Sequence, residues 1–138
     1  QVPFMQDVVD LVVNNDDLYL LHSDGSQTLC YYSSMDVAPT RCEDQIQYID
    51  SRPGRQNGRL IPDSLFDQIY FAPPPDPSLY LLDPANQAVF HFSLRLNFQR
   101  QYRSATEIPE GPVSAFTVSS DRLIFMAVKN EVFFAAFP

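Results

Sequence analysis

Apolar residues in this chain gather in short runs separated by clusters of Asp, Asn, Ser, Gly and Pro, the punctuation of strands and tight turns. Residues 7–13 form a β-branched run, Asn14-Asn15-Asp16-Asp17 marks a turn, and Leu18-Tyr19-Leu20-Leu21 returns as a second strand. Asp24-Gly25 supplies the positive φ of a second hairpin turn, which leads into a third strand over 27–32. A fourth strand is expected near 41–49. The pattern restarts at 66–71 and crosses Ala72-Pro73-Pro74-Pro75-Asp76-Pro77, read as a polyproline-like connector with PxxP ligand character as its sharper alternative. It then enters Leu79-Tyr80-Leu81-Leu82. Asp83-Pro84-Ala85-Asn86 has the form of a type I turn. From residue 89 the chain alternates, with Phe90, Phe92, Leu94, Leu96 and Phe98 on one face and His91, Ser93, Arg95, Asn97 and Gln99 on the other. A turn near 95–97 divides this stretch, and its polar end over 99–103 suits an edge strand. Strands over 113–118, 123–128 and 132–137 complete the pattern, with turns at 119–122 and 129–131.

The second strands of three units align: Leu18-Tyr19-Leu20-Leu21, Leu79-Tyr80-Leu81-Leu82 and Leu123-Ile124-Phe125-Met126. Their first residues are 61 and then 44 positions apart, and the surplus falls in the long polar loop 50–58. A unit of about 40–50 residues built from hairpins is the pattern of a β-propeller blade. The expected fold is therefore all-β, one domain of antiparallel four-stranded units at about 6–60, 61–108 and 109–138, with a β-sandwich as the competing arrangement. The last unit has three strands in sequence; Val2 to Met5 is a candidate donor of a fourth.

Leu79-Tyr80-Leu81-Leu82-Asp83, its turn and Ala88-Val89-Phe90-His91-Phe92-Ser93 resemble NHL-, YWTD- and WD-type blades in form, although the Gly-His and Trp-Asp pairs of the WD type are missing. Residues 79–103 and 28–54 also resemble the C-terminal propeller-like region of large bacterial sensor proteins, among them membrane-tethered PPM-type phosphatases. That resemblance implies a binding or scaffolding part of a larger sensor, surface or multi-subunit assembly, with catalysis placed upstream. A ring of about four to eight blades is needed for closure. Three units thus imply a protein partner: remaining blades, another chain, or a second copy in a two-fold oligomer.

Composition narrows the partners. Seventeen acidic against nine basic residues give a net charge of −8, which repels phosphate backbones and anionic lipid, so neither nucleic acid nor membrane contact is expected. No apolar run is long enough for a membrane span, and no signal peptide is apparent. Gln1 opens the chain without an initiator Met, which predicts processing or an upstream region. Cys30 and Cys42 are the only cysteines. A bridge between them would stabilise the fold by about 2–4 kcal/mol and imply an extracytoplasmic or cell-surface setting; the reduced pair fits the cytoplasm.

Candidate chemistry is sparse. His22 and His91, with Asp24 and Asp83, could form an acid–base pair in a propeller-type hydrolase or lyase, but no third ligand recurs and no nucleophile, phosphate-loop or zinc motif occurs. No metal and no cofactor is expected, and Asn14 to Asp17 reads as a turn rather than a calcium loop. The chain is expected to be non-enzymatic, with binding through exposed turns: Arg52, Arg55 and Arg59 in one loop, Asp83 and Asn86 in the other.

Overall fold

The computed structural model describes residues 7–31, 41–51, 53–54, 65–104 and 106–137. Among them no helix forms, and the strands pair in chain order into three antiparallel sheets. The first contains β1 (Val8–Asn14), β2 (Asp17–His22), β3 (Gln27–Tyr31) and β4 (Arg41–Cys42). The second contains β5 (Gln68–Ala72), β6 (Ser78–Asp83), β7 (Ala88–Phe92) and β8 (Phe98–Arg103). The third contains β9 (Val113–Val118), β10 (Leu123–Val128) and β11 (Glu131–Ala136).

Turn chemistry fixes these hairpins. Asn14 pairs with Asp17 across a two-residue turn in which Asn15 takes a φ of 53°. Three other hairpins share one closure, a residue before the loop bonded to the fourth residue after it. These are His22 N to Ser26 O, Ser93 N to Asn97 O and Ser119 N to Leu123 O, at 2.8–2.9 Å. Each needs one left-handed residue, which is Gly25 in the first, Leu96 in the second and Arg122 in the third. The Pro-rich segment joins β5 to β6 as a turn containing a cis Pro74–Pro75 peptide, not as an extended polyproline helix.

The second sheet is the middle layer. Every residue of β6 is buried, because Leu79 and Leu81 enter the core shared with the first sheet while Tyr80 and Leu82 enter the core shared with the third. That explains why Leu-Tyr-Leu-Leu shows no polar alternation. The predicted apolar face of Phe90, Phe92, Leu94, Leu96 and Phe98 lies wholly in the first of these cores, where Phe66 sits edge-on to Phe90 with ring centroids 4.9 Å apart. Burying each such side chain stabilises the fold by about 1.5–3 kcal/mol. The innermost strands β1, β5 and β9 follow one another along one side of the stack. Asp10 tightens the first of these junctions by accepting from Ile69 N at 2.9 Å.

Two local expectations shift. The fourth strand near 41–49 is only Arg41–Cys42; beyond it the chain pairs through single bridges, Ile46 with Gln27 and Ile49 with Asn97. Ile49 thereby stitches the first sheet to the second, accepting from Phe98 N at 2.6 Å. In the β6–β7 turn the backbone bond runs from Gln87 N to Pro84 O, one residue later than a turn over 83–86 requires. The reason is that the Asp83 side chain, not its carbonyl, accepts from Asn86 N.

Candidate functional site

Of the turn residues singled out in sequence, Asp83 and Asn86 are described, and they bond to each other. Asp83 is fully buried, and its carboxyl group accepts from Asn86 Nδ2 at 2.8 Å and Asn86 N at 3.3 Å. The neighbouring Gln87 reaches outward instead, donating from Nε2 to Pro109 O and Gly111 O, both at 2.8 Å. This turn therefore anchors the β8–β9 connection. Arg52, Arg55 and Arg59, like Val2 to Met5, lie outside the described residues.

The two histidines are not brought together. His22 is buried at the end of β2 with Nε2 2.7 Å from Thr28 Oγ1. Its side chain lies on the face of the first sheet opposite Tyr19 and Leu21, away from the second sheet. His91 belongs to β7 and stacks on Tyr80 at 4.7 Å with ring planes 8° apart, on the side facing the third sheet. Its Nδ1 is buried without a hydrogen-bond partner, and burial holds its pKa below the ordinary histidine value, opposed by Asp76 and aided by Arg122 and Arg100. Among the described residues no cluster of His, Cys, Asp and Glu could hold a metal ion.

Cys30 and Cys42 lie directly opposite each other on β3 and β4 and form a disulfide. Around it, Tyr31 donates to Glu43 Oε1 at 2.8 Å and accepts from Arg95 Nη1 at 3.0 Å, while Tyr19 donates to Leu94 O at 2.8 Å. Burial, reinforced by Asp17, pushes the Tyr19 hydroxyl up to about 12. These contacts tie the first sheet to the β7–β8 turn.

What the structure leaves open is apolar. At one end of the stack Val9, Leu11 and Val13 of β1 are about half exposed. At the other, the outward face of the third sheet carries Ala115, Thr117, Leu123, Phe125, Ala127, Val132, Phe134 and Ala136, without a charge. On it Phe134 is 69% exposed and Val132 66%. Beside β11 a cleft of about 740 Å³ opens between that strand, β8 and the segment leading to β9. Sequence reasoning inferred from ring closure that three units need a partner, but it missed the cleft. Its signal was residues 132–137, which carry no polar side chain where the corresponding edge strand β8 carries Gln99, Arg100 and Gln101.

No family model matches the chain, and no characterised protein matches it in sequence. Among solved structures, selenomethionine-substituted virginiamycin B lyase from Staphylococcus aureus, a β-propeller, is similar in fold with a TM-score of 0.53 and 8% identity. The three sheets are blades of a β-propeller. The alignment covers 96% of this chain and 42% of that one, so the chain spans less than half the length of this propeller relative in fold. Consecutive meandering sheets with their first strands side by side are the blade arrangement.

Proposed function

We propose that this chain is a non-enzymatic binding and scaffolding module of a larger sensor, surface or multi-subunit assembly, completed by protein contacts at its two end faces. The observation supporting this reading is the apolar, uncharged character of the outward face of the third blade, matched at the other end by Val9, Leu11 and Val13. Contiguous apolar surface of this kind marks an interaction site rather than an ordinary solvated surface. Its occupants are further blades or a second copy, and the coverage of 42% of a propeller chain supports a ring larger than three blades. The Cys30–Cys42 bridge supports an extracytoplasmic or cell-surface setting. A propeller hydrolase or lyase using His22 and His91 gains nothing from the geometry, since the two rings belong to different blades and face different layers. Light scattering on the purified chain, together with binding of an apolar dye, tests the module. Concentration-dependent association with dye binding at low concentration is the expected result; a stable monomer that binds no dye overturns it.

A further inference from the structure

We propose that Asp10 and Gln68 are latches that hold neighbouring blades in one fixed stagger, each reaching from the innermost strand of its own sheet to a backbone group on the innermost strand of the next. The two occupy one position of the repeat. Asp10 pairs with Leu21 and Gln68 with Leu82, the fourth residues of Leu18-Tyr19-Leu20-Leu21 and Leu79-Tyr80-Leu81-Leu82. Both side chains cross to the following sheet: Asp10 Oδ2 accepts from Ile69 N and Gln68 Nε2 donates to Ser114 O, each at 2.9 Å. In the third sheet the residue paired with Met126 is Phe116, whose ring packs back against Tyr70 with centroids 6.5 Å apart.

The residue types follow from which backbone groups the sheets leave over. Among the described residues β1, β5 and β9 each pair along one edge only, so alternate residues turn their N–H and C=O groups away from the ladder. Asn14 pairs with Asp17 across a two-residue turn, which makes residues 10, 12 and 14 the ones bonded to β2 and leaves Leu11 N turned outward. Asp10 Oδ1 accepts that N–H at 2.9 Å while Oδ2 accepts Ile69 N, so one carboxylate joins open donors of two blades. Asn at this position would offer a single oxygen. At the second junction the leftover group is a carbonyl. The β9–β10 register shifts between Val113 and Ala115, making Ser114 the extra residue of a bulge, which the ladder leaves unpaired. Its carbonyl needs a donor, and the Gln68 amide supplies one. The first bond also selects register. A slip that put Tyr70 N in the place of Ile69 N would offer Asp10 a group turned toward β6. These latches act between blades, so the inference is independent of what the module binds.

Nuclear magnetic resonance on the full chain tests each bond and its consequence. Asp10→Ala is expected to speed amide exchange at Ile69 at least about tenfold while Tyr70 keeps its protection. Gln68→Glu, equal in size but without the donor, is expected to move the Ser114 carbonyl resonance upfield. Stability alone is no guide, because Asp10 also repels Asp67, whose carboxyl is held above the ordinary carboxylate range by burial and then by Asp10. Residual dipolar couplings read the stagger. In the unaltered chain all three sheets are expected to share one alignment. In the Asp10→Ala/Gln68→Ala double variant each sheet should still agree internally, with the first and third aligned less strongly than the second. If that variant does not fold, Asp10→Asn and Gln68→Glu carry the same measurement. Unchanged Ile69 exchange in Asp10→Ala, an unmoved Ser114 carbonyl in Gln68→Glu, or one shared alignment once both latches are removed overturns the proposal.

Discussion

His91 shows how one half-buried side chain can act against its own setting. Its ring gains from stacking on Tyr80, yet Nδ1 has no partner and burial disfavours the charged form. The lowered folded-state pKa fixes the sign: above about pH 6.5 the ring is neutral in both states. As pH falls below that value the unfolded chain takes up the proton first, and stability is lost until the folded-state pKa is passed. His91→Phe keeps the stack and removes the titration. Urea midpoints at pH 7.5 and 5.0 should show the wild type losing ground relative to the variant on acidification; equal losses in both would exclude the effect. Leu96 is a contrasting case, since a side chain at φ 62° carries a backbone cost of about 1–2 kcal/mol. Its nearly complete burial among Phe92, Phe98 and Tyr48 offsets that cost.

At the scale of the element, the Cys30–Cys42 bridge compensates for a weak strand. β4 is two residues long and contributes little pairing of its own. The bridge spans 12 residues in sequence, a loop for which cross-linking contributes about 3 kcal/mol through the unfolded state. Replacing both cysteines by Ser, or reducing them, should lower stability by about 2–4 kcal/mol in denaturant titration. The bridges at Ile46 and Ile49 should lose exchange protection before β6 or β7 does, because β6 is buried on both faces and β4 is not. Uniform loss across all three blades would show instead that the bridge stabilises the chain only globally. β11 is the opposite case, a full-length strand whose outer edge has no covalent or hydrogen-bonded cover among the described residues.

For the whole molecule, the balance is between apolar end faces that favour association and a charge of −8 that opposes it. At low ionic strength like-charged copies repel over tens of ångströms, whereas at about 0.15 M salt the Debye length falls to about 8 Å. Contacts through Phe134 and Val132 involve no charge and are not weakened by this screening. Raising NaCl from 50 to 500 mM should therefore increase the associated fraction in sedimentation velocity; a decrease would point to ionic contacts in place of the apolar faces. Phe134→Asp should suppress the association at either salt concentration, because it places a charge on the apolar outward face of the third sheet.

Much of this was legible in the sequence because it is local. Asp24-Gly25, Asn14 to Asp17 and the alternation from Phe90 to Phe98 specify turns and faces through φ preferences and the two-residue strand period, and three recurrences of one pattern specify three blades. The environment of the turns was less legible: Asp83 and Asn86 look alike as polar turn residues in sequence, but the structure buries Asp83, whose carboxyl accepts from Asn86, and leaves Asn86 part-exposed. Which face of β6 meets which neighbour, that Cys30 lies opposite Cys42, and that Tyr102 of β8 lines the cleft beside β11 depend on contacts between distant segments. Those contacts form only when blades stack, so strand and turn propensities carried the repeat while tertiary packing alone decided what the repeat leaves open.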